Sequence, residues 1–418
     1  MVVILYYSII LILIVDFLFE RWLDFLNAKQ RSSELPSELK GIYDPDKYQK
    51  SVEYERSKHN FATISESFGF IVMLILFVTG GFGFIDGIVR ELVNNPIHVA
   101  LLYFGIFGLL SEILSFPFKW YSTFIIEAKF GFNKTTPRLF LLDQVKGLLI
   151  AATVGGLILY PIIWIYLIAG NLFWLYALGV ISAFSIFMLL FYSSVIVPIF
   201  NKQTPLPEGE LKDAITAFCQ KAGFLLDNIY VIDGSKRSTK ANAYFTGLGS
   251  KKRIVIYDTL ISELNINQIV AVLAHEIGHY KRKHVYTGLL FSLFSTAVML
   301  YLFALVSSSP AFSEVLGSKV PGFHLAVISF GMLYTPISLV IGVVMNFRSR
   351  KNEYEADQFA NEFYSSDYLG LALKKLSVSN LSNLNPHSYY VFFHYSHPTL
   401  LQRLKRLAEI RSAEHNLE

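Results

Sequence analysis

The chain has 418 residues, 53% of them hydrophobic and only 16% charged, against about 25% charged in soluble domains. That composition excludes a disordered or fibrous protein and argues against an ordinary soluble globule. A net charge of +4 is too small to argue for a nucleic-acid partner, and the single cysteine, Cys219, allows neither an internal disulfide nor a paired-cysteine zinc site.

Seven apolar stretches follow in order, at residues 2–19, 67–85, 97–118, 147–169, 172–200, 285–306 and 325–347. A bilayer needs about 20 residues of helix, so each is a candidate span. The first lacks a basic leader and a small-residue cleavage site, and it reads as an uncleaved anchor rather than a signal peptide. Asp16 and Glu112, in or near the ends of spans, are expected to face other helices. The polar stretch 27–60, in which Tyr43, Tyr48 and Tyr54 recur, reads as helical or extended.

The charges are sorted. Of 36 lysines and arginines, 34 fall in the segments after spans one, three, five and seven. The positive-inside rule makes that side cytoplasmic, with the N-terminus outside and the C-terminus inside. Residues 1–200 then form five spans with cytosolic loops, and residues 285–347 a transmembrane hairpin. The two flanking pieces, 201–284 and 348–418, are read as halves of one cytosolic domain that meet at the membrane surface.

Within the first half, 228–233 and 254–257 are β-branched runs flanking STKANAYFTG at 238–247, which predicts a small antiparallel sheet. A helix follows, with Asn265 as its cap, Gln268 three residues on, and Ile266, Ile269, Val270, Leu273 and Ile277 as its apolar stripe. It carries HEIGH at 275–279. His275 and His279 share one helical face and can reach one metal ion, and Glu276 can take a proton from water. A hydrolytic zinc site needs a third protein ligand, and no histidine stands six residues after His279, where Val285 lies. Residues 350–357 read RKNEYEAD, with Glu353 and Asp357 four apart and Ala356 and Ala360 beside them. Glu353 as third ligand and Asp357 as partner to a ligand histidine is the economical assignment, with Asp357 or Glu355 next in line as the ligand. The small residues would let this helix approach the HEIGH helix closely. His394 and His397, in HYSHP, are candidate donors to an oxyanion. His284, His59 and His98 read as surface or interface residues, and the basic run 281–284 as the membrane boundary.

HEIGH between AVLA and YKRKH, SRKNEYEAD after the last span, GSKRSTKANAYFTG at 234–247 and HYSHPTLLQRL at 394–404 together resemble the type I CAAX prenyl endopeptidases, integral-membrane gluzincins. The resemblance covers nearly the whole chain. It implies a mainly α polytopic fold, with seven transmembrane helices in a barrel and a split gluzincin-like α+β protease domain at the cytosolic face. It implies one zinc on His275, His279 and Glu353, with Glu276 as base, Asp357 behind a ligand and His397 as the better oxyanion donor. Asn242 and Ala243, by similarity, would lie on the sheet edge that takes the substrate as an added strand. Arg403 would support the site or bind the substrate carboxylate. The partners implied are membrane lipid and a peptide or protein substrate, prenylated or not at a C-terminal cysteine.

Two other readings compete. A heat-shock-type quality-control zinc protease shares HExxH and the downstream glutamate, but seven spans and HYSHP favour the first reading. A seven-span transporter or receptor would place polar groups within its spans, whereas the reactive groups here cluster at one membrane face. An intramembrane site-two-type protease would bury HExxH in an apolar span, yet YKRKH follows it. The endoplasmic reticulum and a bacterial inner membrane both fit the sequence.

Overall fold

The computed structural model describes residues 1–31, 41–42, 44–224, 229–247 and 252–415. Tyr43 and Asn228, used above, lie outside the described residues. The first half of the chain is helical: α1 (Val2–Arg31), α2 (Pro45–Val78), α3 (Gly81–Leu92), α4 (Pro96–Tyr121), α5 (Pro137–Ile168), α6 (Phe173–Phe191) and α7 (Val197–Phe200). Three of these start the same way. Asp44, Asn95 and Thr136 each accept a backbone N–H in the first turn, and each is followed by a proline whose missing N–H costs nothing there.

Seven helices are long and apolar enough to cross a membrane, matching the seven expected spans. Two boundaries differ from expectation. The polar stretch, read as helical or extended, is mostly helical where it is described, with a turn at 41–42: α1 runs past the first expected span to Arg31 and α2 starts at Pro45. The second span ends at Val78, because the chain turns through Gly80 at φ 70° and restarts as α3. Gly83 in α3 packs on the loop before the last span, where an added Cβ would lie 2.3 Å from the Gly317 carbonyl carbon. Asp86 accepts hydrogen bonds from Arg90 and Ser318 and pairs with His324 at 2.7 Å, which fastens α3 to that loop. Glu112 pairs with Lys119 on its own helix, and Lys119 reaches Gln144 of α5.

The second half begins with β1 (Gln203–Pro205), α8 (Glu210–Lys221), β2 (Ile229–Ile232), β3 (Ala243–Thr246) and β4 (Arg253–Tyr257). The strand order is β1-β2-β4-β3. The expected sheet is there, but not all of it is antiparallel: β2 runs parallel to β4, with Ile229 opposite Ile254. A parallel neighbour requires a return run: residues 233–242 cross over the end of β4 to reach β3, and β3, antiparallel to β4, carries the chain back to where β4 starts. Arg237 in that crossover makes a two-pronged ion pair with Asp143 of α5, and Lys240 pairs with Glu127. The sheet is thereby tied to one end of the membrane helices.

Next come α9 (Asp258–Glu263), α10 (Ile266–Lys281), α11 (His284–Val306), α12 (Ala311–Glu314), α13 (Phe323–Phe363), α14 (Ser366–Ser379), α15 (Ser388–His394) and α16 (Leu400–His415). The last span and the EYEAD helix are one uninterrupted α13 of 41 residues, about 60 Å long. A single apolar core joins the two flanking pieces: Ile215, Ile254, Leu273 and Ile277 from the first pack with Phe359, Leu369 and Leu407 from the second.

Candidate metal centre

Helix α10 starts on the expected capping box: Asn265 accepts from the Gln268 N–H at 2.9 Å, and the Gln268 side chain accepts from the Asn265 N–H at 3.1 Å. Its apolar stripe fills the core, which aims His275 and His279 at α13. The two helices touch where both are small. A Cβ on Gly278 would meet Ala356 Cα at 3.2 Å and Phe359 Cβ at 3.1 Å, and Ala356 and Ala360 are fully buried.

That approach brings three ligand atoms together. His275 Nε2 lies 3.2 Å from His279 Nε2 and 3.3 Å from Glu353 Oε2, and His279 Nε2 lies 3.2 Å from Glu353 Oε1. Ligand atoms about 2.1 Å from one tetrahedral zinc stand about 3.4 Å apart, so the triangle has the size such an ion needs. Glu353 is 3% exposed, and among the described residues its buried Oε2 has close neighbours in His275 and Arg403 but no hydrogen bond of good geometry, which suits an atom that faces a cation. His275, His279 and Glu353 form the metal-competent group among the described residues.

Behind the triangle sits its support. Asp357, fully buried, takes His275 Nδ1 at 2.8 Å, which leaves Nε2 free to ligate. Arg403 grips Asp357 with two bonds, at 2.5 and 2.9 Å, and places a third nitrogen 3.5 Å from Glu353 Oε2. Of the two roles expected of Arg403, its contacts fill the supporting one. Burial and then the Arg403 charge oppose a proton on His275, but hydrogen bonds with Asp357 and Glu353 raise its pKa to about 9. Burial pushes the Glu353 carboxyl up, yet hydrogen bonds from His275, His279 and His397 outweigh it and hold the group well below the usual carboxylate range. Protons therefore compete with a cation here, and metal affinity falls as pH falls.

Glu276 follows the first candidate ligand on the same helix, half-buried, and no hydrogen bond or ion pair with the described residues holds its carboxylate. His397, 65% exposed, reaches Glu353 Oε1 at 3.0 Å, whereas His394 pairs with Glu20 of α1 at 3.1 Å and stays off the site. Ala243 opens β3, an edge strand, and the preceding Asn242 carbonyl accepts from the Tyr257 N–H. By antiparallel alternation, Ala243 and Phe245 turn their backbone groups away from β4. The Asn242 side chain accepts the Ala243 N–H at 2.8 Å.

His284, expected at the surface or an interface, is not at the surface: it is buried and contacts His279. Nothing in YKRKH signals this from the sequence. Lys283 adopts a left-handed φ of 62°, which breaks the helix and folds the next residue back onto the ligand.

The chain is similar to known proteins over nearly its whole length. Residues 24–202 match the family described as CAAX prenyl protease N-terminal, five membrane helices, and residues 205–411 match peptidase family M48. CAAX prenyl protease 1 of Saccharomyces cerevisiae is 34% identical, with 96% of this chain and 95% of that one covered. The rice CAAX prenyl protease 1 homolog is also 34% identical, with 98% of each covered. The crystal structure of S. mikatae Ste24p superposes with a TM-score of 0.92 at 34% identity, covering 96% of this chain and 98% of that one.

Proposed function

The chain belongs to peptidase family M48, with the CAAX prenyl protease membrane domain ahead of it, and from this membrane metalloendopeptidase we propose release of the C-terminal tripeptide after a prenylated cysteine. The observation that carries the reading is the triangle of His275, His279 and Glu353 ligand atoms, 3.2–3.3 Å on a side, built where the two halves of the domain meet. We assign one zinc to it. The ion supplies Lewis acidity, polarising the scissile carbonyl and lowering the pKa of water toward neutrality.

The protein's own groups do the rest. Glu276, free of other bonds, accepts the proton of the attacking water and returns it to the leaving amine. His397, poised beside Glu353, donates to the carbonyl oxygen as it gains charge. Asp357 and Arg403 hold His275 in the tautomer that ligates. The free edge of β3, from Ala243, pairs with the extended substrate, and Asn242 fixes the start of that edge. Residues 201–284 and 348–418 act as one protease domain around the hairpin 285–347, with residues 1–200 as the remaining five spans. The charge sorting supports a cytoplasmic position for this domain.

The test is product mass. Purified protein given a farnesylated CAAX peptide should remove three residues, stop with chelator, and leave the unmodified peptide largely intact. Equal cleavage of both peptides would point to non-prenylated substrates. For topology, a membrane-impermeant thiol reagent on intact cells should label cysteines placed at Asn94 and Ser309 and miss one at Lys236. Labelling at Lys236 from outside would overturn the cytoplasmic site.

A further inference from the structure

The two ligand histidines differ in what holds their outer nitrogens. His275 leans on the Asp357 carboxylate, which Arg403 clamps. His279 leans on another imidazole: its Nδ1 lies 3.0 Å from His284 Nδ1, and His284 Nε2 lies 3.0 Å from Glu355 Oε2. His284 is 8% exposed, and both of its nitrogens are used. Glu355 sits on α13 two residues beyond Glu353, so it rises from the other side of the helix that supplies the third ligand. Lys351, one turn earlier, stands 3.9 Å from it.

The proton positions follow from chemistry. A neutral imidazole has one donor and one acceptor nitrogen. A ligand histidine keeps its coordinating nitrogen bare, so His279 with Nε2 toward the metal carries its hydrogen on Nδ1. His284 Nδ1 must then accept, its Nε2 must carry the hydrogen, and Glu355 receives it. One chain of tautomers satisfies every atom, and it ends on a carboxylate anchored in α13.

We infer that His284, backed by Glu355, is a positioning residue for the metal ligand His279, fixing its tautomer and ring angle as Asp357 does for His275. The inference rests on the reading that His275, His279 and Glu353 hold zinc. It also explains the left-handed turn at Lys283, which lets the residue opening α11 face back toward α10.

The experiment is metal retention by the full-length, zinc-loaded protein in detergent, titrated with a chelator and read by elemental analysis. His284→Leu, which keeps volume but neither nitrogen, should surrender zinc about 10- to 100-fold more readily than wild type. His284→Gln can accept from His279 and donate to Glu355 and should retain most of the affinity. Glu355→Ala should weaken retention in the same direction by less. Wild-type retention in a folded His284→Leu protein overturns the inference, as does equal loss in the Leu and Gln variants, which would make the effect one of packing. Should His284→Leu fail to fold, Glu355→Ala decides: unchanged retention there overturns the relay. Failure of the underlying reading looks different, since wild type would then take up no zinc or His279→Ala would keep it.

Discussion

Helices α10 and α11 are separated by two residues and follow opposite rules. Helix α10 buries nine of its 16 residues, including the polar Gln268 and His275. Helix α11 is the more apolar and buries three of 23. Leu273 in the first is fully buried, and Leu290 in the second is 70% exposed. Helix α13 contains both regimes: nothing is buried between Met332 and Glu353, and then Glu353, Ala356, Asp357, Phe359 and Ala360 all are. Apolarity and burial part company when the surroundings are hydrocarbon, because a leucine facing lipid has no water to escape. The protease half must exclude water and pack tightly around charge. The membrane half has only to satisfy its own backbone.

The largest effects are expected at the buried charges. His275→Ala, His279→Ala and Glu353→Ala each remove one of three ligands, so metal content and activity should both vanish while the spans insert normally. Full zinc occupancy in Glu353→Ala would move the third ligand to Asp357 or Glu355. Glu276→Gln keeps shape but cannot accept a proton; turnover should drop about 10²- to 10⁴-fold with zinc still bound, by elemental analysis of the inactive protein.

Packing comes next. Leu273→Ala opens a hole in the joined core and should cost about 2–5 kcal/mol in detergent unfolding. Leu290→Ala, at a side chain 70% exposed, should stay within about 0.5 kcal/mol. Equal costs would mean that α11 is as tightly packed as α10, which would erase the contrast.

The smallest effect is at Cys219, in the core of the protease half. Burial pushes its thiol up to about 11, so thiolate is scarce at pH 8 and the native protein should resist maleimide. Labelling should appear only on unfolding, which lets cysteines be introduced elsewhere without replacing this one. Rapid labelling of the native protein would show that the core opens.

Most of the site was legible because its information is local. HEIGH places two ligands on one helical face, EYEAD places Glu353 and Asp357 on another, and the Asn265–Gln268 box fixes where α10 starts. The small residues at 356 and 360 already announced a close helix approach, which Gly278 meets from α10. What was misread depended on chain turns. His284 looked like the end of a basic boundary run, since nothing in YKRKH betrays a left-handed Lys283. The all-antiparallel sheet failed because strand direction is set by the crossover at 233–242 and its anchor on Asp143, a residue 94 positions away from Arg237.

By itself the sequence determined the seven spans, the charge-sorted topology they predict and the candidate ligand residues, because span length, loop charge and helical period are properties of short stretches. Tertiary structure alone decided the rest. It set β2 parallel to β4, made the last span and the Glu353 helix one rod, sent His394 to Glu20 and His397 to Glu353, and gave Arg403 to Asp357. Each of these is a pairing between distant residues. Which polar group a buried charge finds depends on where the backbone carries it, and no local pattern encodes that.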